Sequence, residues 1–210
     1  VGDWTALTKE NFGVGGVLKA SSTSGRANFS SSGRYYLAED ISTSYVLEIL
    51  KGTDITLCLN GHALTSTATG NSAIRLSAKL SICDCAGGGK LTSATKKAGG
   101  MVLMLSSGAD SAVGVEFNLY GGTLMMTDKD YTANAGVIQV GNSGSNPAVF
   151  NMYGGTITGG TANKGGNILI GTAAATMNMC GGSVTGGSSI GGFVGGANSS
   201  TKGYVLTFEN

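Results

Sequence analysis

Three stretches of the chain say nearly the same thing: "FNLYGGTLMM" from Phe117, "FNMYGGTITG" from Phe150 and "MNMCGGSVTG" from Met177. Each runs large apolar, Asn, large apolar, a fourth residue, Gly-Gly, then Ser or Thr. Looser copies start at Leu57, Leu80 and Leu206, so the units are spaced by 23, 37, 33, 27 and 29 residues. A constant phrase at variable spacing means a fixed structural step joined by loops of free length.

Inside the phrase the period is two. Phe117 and Leu119 alternate with Asn118 and Tyr120, as Phe150 and Met152 do with Asn151 and Tyr153. That is the pattern of a strand with one buried face. Gly-Gly then allows a sharp corner, and a short second strand follows at Thr156-Ile157-Thr158 or Ser183-Val184-Thr185. A second phrase lies between copies of the first: "AGGMVLML", "NAGVIQV", "GGNILIG" and "IGGFVGG". It supplies a third strand per unit. One unit cannot bury its apolar line alone, whereas stacked units share one core.

The expectation is therefore an all-β chain, a right-handed parallel β-helix solenoid of about five to six coils of three short strands. Residues 1–45 are expected to be an N-terminal cap and first strands, and residues 46–210 the parallel β-helix, truncated at "VLTFEN" in mid-phrase. Within the cap, "DWTALTKENF" reads as a short helix with Asp3 as N-cap, or as irregular structure. "YYLAEDI" and "YVLEIL" supply the first coil. Phe117, Phe150, Met177 and Leu206 should form one internal stack, and Leu119, Met152, Met179 and Phe208 its neighbour.

Composition agrees and excludes several functions. Gly is 37 of 210 residues and charged residues are 12%, against averages of ~7% and ~25%. Hydrophobic content of 41% argues against disorder. Net charge is +1 and Lys96-Lys97 is the sole adjacent basic pair, so no nucleic acid is expected as partner. No apolar run is long enough for membrane insertion, and no leader, wall-sorting or lipidation signal is legible at the ends. An ice-binding array of Thr pairs is interrupted by Met125.

Taken in order, "YYLAEDI", "ITLCLNGHALTS", "LSICDCAGGGKLTS" and the "MYGGTITGG" repeats resemble a recurrent β-helix region of large surface proteins from Gram-positive gut bacteria. The resemblance spans about residues 35–208, within the wider pectate-lyase-like superfamily. It implies a secreted, extracellular module at the bacterial cell surface, joined to other modules of the same polypeptide. The expected function is that of a non-catalytic adhesin binding a host protein or glycoprotein, such as a mucosal immunoglobulin, or a glycan. A polysaccharide lyase or hydrolase and a passive spacer are the alternatives.

No catalytic residue, metal or cofactor is expected. An enzyme of this kind needs carboxylates in phase on neighbouring coils; among Asp84, Glu116, Asp128 and Asp130 no two align. Of the three Arg, only Arg75 is placed in a coil strand. "TDKD" has oxygen ligands at alternate positions but reads as a solvated loop. The lone His62 reads as a corner residue, with Asp84 and Cys85 nearest. Cys58, Cys83, Cys85 and Cys180 match no common zinc spacing. Stacking of coils could bring Cys58 within disulfide range of Cys83 or of Cys85, and Cys180 reads as a free thiol.

The surface left for binding is an outward amide ladder of Asn118, Asn151 and Asn178, with Asn60 as an earlier member. Tyr120 and Tyr153 stack beside it. Tyr131, in the loop "TDKDYTANA", and the loop "GNSGSNPA" border one edge.

Overall fold

The computed structural model describes residues 3–12, 16–21, 25–29, 31–68, 70–94, 99–106, 114–128, 134–143 and 145–189. Among them every regular element is a strand. The expected stack members Leu206 and Phe208, the "IGGFVGG" and "VLTFEN" phrases, Asp130 and Tyr131 lie outside the described residues.

The strands form three large sheets, visited in rotation. A representative circuit runs Asp54–Cys58 in the first sheet, Ala63–Ser66 in the second and Ile74–Leu76 in the third. The next runs Lys79–Cys83, Lys90–Ser93 and Val102–Met104. Each strand pairs in parallel with its counterpart one circuit away. The sheets hold seven, six and seven strands, and Thr161–Ala162 with Ser188–Ser189 make a small fourth one. Among the described residues the single antiparallel pair is Leu18–Ser21 with Arg26–Phe29, at the edge of the third sheet.

The helix considered for "DWTALTKENF" is not formed. Trp4–Leu7 is a strand that pairs with Gly33–Leu37 and buries Leu7 completely. Beyond it Asn11 closes a turn, its Oδ1 accepting from the Thr8 N–H at 2.7 Å. Strand pairing of Leu7 against the core outweighs a weak local preference.

The period-two pattern sets the inside. Phe117, Leu119, Phe150 and Met152 are fully buried, and Met177 and Met179 pack against them. Phe117 and Phe150 are cross-strand partners whose rings stack at 5.2 Å. The second sheet contributes Leu64, Leu91, Leu124 and Ile157, and the third Ile74, Val102 and Ile138.

One register differs from expectation. Leu80 pairs with Ile55 rather than Leu57, and Leu57 pairs with Ile82. Leu59, which the sequence pattern places in the strand, lies past it, buried in the corner. A two-residue shift keeps the same face inward, so alternation alone cannot choose between the two registers.

The two glycines of the corner do different work. Gly155 has φ +81°, which a side chain disfavours. A Cβ on Gly154 would fall 2.5 Å from the Tyr120 carbonyl oxygen, and one on Gly155 2.7 Å from that of Gly122. The pair therefore lets the chain turn and lets one corner lie on the previous one.

Candidate functional site

The outer side of the first sheet carries a row in register: Thr56, Ser81, Asn118, Asn151 and Asn178. The amides run one way. Asn178 Nδ2 donates to Asn151 Oδ1 at 2.8 Å, and Asn151 Nδ2 to Asn118 Oδ1 at 2.9 Å. Asn118 Nδ2 then donates to Glu116 Oε1 at 2.6 Å, with Ser81 Oγ at 3.4 Å. The row exists because each circuit presents the same strand position to the same face.

Its availability is uneven. Asn118 is only 2% exposed, so it serves the ladder and not a ligand. Asn151 is half-buried and Asn178 exposed. Asn60 is not a member: it sits in the corner at φ 52° and its amide donates to the Leu37 carbonyl at 3.1 Å. Ser81 and Thr56 hold the earlier places. Asn118→Ala removes the acceptor of the Asn151 amide and should cost about 1–3 kcal/mol. Asn178→Ala, at the exposed end, should stay within about 0.5 kcal/mol. Urea unfolding reads both, and equal losses would contradict a directional ladder.

Tyr120 and Tyr153 each follow the end of such a strand. Their rings stack at 4.8 Å with planes 10° apart, yet they remain 53% and 46% exposed. Parallel register delivers this spacing: the strand separation of about 4.8 Å equals the stacking distance. Cys180 takes the same place one circuit on and is an exposed free thiol. The result is a stacked aromatic ledge beside the amide row.

A second row, missed by the sequence reading, crosses the start of the same strands. Asp54, Lys79 and Glu116 are consecutive cross-strand partners. Lys79 Nζ lies 3.7 Å from Asp54 Oδ2 and 3.8 Å from Glu116 Oε1. A groove of about 340 Å³ runs alongside, lined by Thr53, Ser77, Lys79, Glu116 and Pro147 among others. Carboxylates do therefore align, two circuits apart and bridged by an ammonium. The signal was their common offset, one residue before Ile55, Leu80 and Phe117, which the misplaced first register hid.

Other expected candidates are structural. Asp84 is consumed by the corner, accepting from the Gly61 N–H and the Gly89 N–H at 2.7 Å each. His62 does hold a corner, but its partner is Asp40 of the preceding circuit, Nδ1 to Oδ1 at 3.2 Å, not Asp84 or Cys85. A carboxylate only accepts, so Nδ1 carries the proton. Arg26 and Arg34 lie in strands, as Arg75 does; Arg26 and Arg75 both face Glu48, at 3.0 and 3.7 Å.

The Ala63 N–H first, and then His62, hold the Asp40 carboxyl below its usual 3.8. A carboxyl lowered by folding adds stability above its unfolded value and loses it as pH falls. Asp40→Asn should therefore melt below the parent at pH 6, and the gap should begin to narrow as pH falls past 3.8 and close only below the lower folded value. A gap independent of pH, read from thermal melts, would contradict this pairing.

Three thiols gather where the sequence suggested. Cys58 and Cys83 are cross-strand partners, but the closest sulfurs are those of Cys58 and Cys85, 2.9 Å apart. All are free thiols; Cys58 is buried, Cys83 half-buried and Cys85 exposed. Burial, then the neighbouring Cys58, pushes the Cys83 thiol well up; the Cys58 hydrogen bond raises Cys85. Thiols so raised are poor nucleophiles.

No protein-family model matches the chain, and no curated protein and no solved structure matches it significantly. Among the described residues no helix is long and apolar enough to cross a membrane.

Proposed function

We propose that the three sheets are the faces of a right-handed parallel β-helix and that the chain is a non-catalytic adhesin module of a bacterial cell-surface protein. It holds a glycan or a host glycoprotein, mucosal immunoglobulin included, against the outer side of the first sheet. Strand–crossover–strand units in one parallel sheet are right-handed in nearly all proteins, which supports the hand. The observation that carries the function is the Tyr120–Tyr153 stack: two large rings held exposed and nearly parallel at the end of adjacent strands. Aromatic side chains are costly to leave in water and favoured at binding surfaces. Their faces suit the C–H faces of sugar rings, and the Asn178 amide beside them suits hydroxyls.

The test is capture. The chain, immobilised, is exposed to mucosal secretion and to serum, and the retained species are identified by mass spectrometry. Retention of one or a few glycoproteins, or of a polysaccharide, supports the adhesin. Retention of nothing overturns it in favour of a passive spacer or an enzyme.

The Asp54–Lys79–Glu116 row favours one second reading, a polysaccharide lyase or hydrolase. It places two carboxylates and a cation beside a groove. Against it, the three charges already satisfy one another and Glu116 also accepts from Asn118. Cleavage of an acidic or neutral polysaccharide, lost in Glu116→Gln, would establish it.

A further inference from the structure

We propose that Cys58, Cys83 and Cys85 form a three-sulfur site for a thiophilic metal ion, with Cu(I) as its ion. The proposal stands apart from the binding role of the tyrosine ledge.

The three sulfurs lie within 4.8 Å of one another. They come from two adjacent strands of the first sheet and the corner between the first and second sheets. Cys58 and Cys83 are opposite one another in register. The turn "DCAGGG" then folds Cys85 back over Cys58, its N–H pointing at the Cys58 sulfur at 3.3 Å. Metal–sulfur bonds of about 2.3 Å set sulfurs about 4 Å apart around one ion, which the cluster can meet. The Cys58–Cys85 pair, at 2.9 Å, must open by about 1 Å on that scale, and Cys85 is exposed on a glycine-rich turn.

Soft thiolates select Cu(I) and zinc among common ions. The choice between them follows from what else is near. Zinc takes four ligands in structural sites. The adjacent carboxylate, Asp84, is committed to two backbone N–H groups, and His62 to Asp40. Among the described residues no fourth ligand joins the three sulfurs, an arrangement that completes a trigonal Cu(I) site but leaves zinc dependent on water. Binding exchanges thiol protons, released to solvent, for the ion, and nothing is oxidised or reduced. The site also clamps the corner: one ion would tie two circuits together at Cys58 and Cys83.

The reduced chain is titrated anaerobically with Cu(I) in competition with a coloured Cu(I) chelator, and separately with Zn²⁺ and with Co²⁺ as a spectroscopic probe. The parent and Cys180→Ser should each withdraw one equivalent of Cu(I) and melt higher with it. Cys85→Ser, a change at an exposed turn position, should bind at least tenfold more weakly while keeping the parent's circular dichroism. Cys83→Ala should do the same. Full binding by Cys85→Ser, loss in Cys180→Ser, or no withdrawal by the parent would overturn the site. Tight Zn²⁺ with no Cu(I) would overturn the choice of ion. A Cys58–Cys85 disulfide in air, with no metal taken by the reduced chain, would replace the proposal by a structural crosslink.

Discussion

Phe150→Asp loses cooperative unfolding. Phe150 is fully buried, and its ring stacks on Phe117. Its other cross-strand partner is Met177. Deleting a buried Phe costs about 3–5 kcal/mol, and an unpaired buried carboxylate adds several more. Together these approach the whole stability of a domain, about 5–15 kcal/mol. The adjacent Thr176→Asp is the control, since Thr176 is exposed on the outer side of the neighbouring strand. Thermal melts followed by circular dichroism should show a sigmoid for Thr176→Asp and none for Phe150→Asp. A parent-like melt for Phe150→Asp would mean that inside and outside are exchanged.

Gly155→Ala is the second large effect, and its comparison with Gly52→Ala isolates its cause. Both glycines have positive φ, +81° and +80°. An added Cβ at Gly52 meets nothing within 4 Å, whereas at Gly155 it meets the Gly122 carbonyl oxygen at 2.7 Å. Gly52→Ala should therefore cost only the left-handed backbone penalty, about 1–2 kcal/mol. Gly155→Ala should cost that and a further 1–3 kcal/mol, about what overpacking costs, because the obstacle is backbone of the neighbouring corner. Equal losses in urea unfolding would show that the corners do not rest on one another.

The repeated phrase carried most of this architecture. Its alternation assigned Phe117, Leu119, Phe150 and Met152 to the core, and the glycine phrases located the third sheet. What escaped is traceable to corner length. "LCLNGH" offers Leu57 and Leu59 as a strand pair, yet the strand pair is Ile55 and Leu57 while Leu59 fills the corner. Apolar spacing cannot see that shift, because both registers bury leucines. The error hid the common phase of Asp54, Lys79 and Glu116. It left the cysteines legible, since adjacent circuits bring Cys58 near both later thiols under either register. His62 was placed at the right corner but on the wrong side, for nothing in spacing says whether a corner residue reaches forward or back.

The amide row shows a different limit. The pattern puts Asn118 on the outer face, and it is there, but its neighbours Ser81, Glu116 and Asn151 enclose it. Facing outward and being exposed are separate properties, and it is the tyrosines beside this row that are both large and exposed.

The most direct measurement of the central claim is the affinity of the captured species for the parent and for Tyr120→Ala/Tyr153→Ala, each first shown to melt alike. Loss of two hot-spot rings is worth about 2 kcal/mol or more apiece, so the account predicts binding weakened by at least a hundredfold. Unchanged affinity in a variant that folds like the parent would contradict it and move the contact away from the tyrosine ledge.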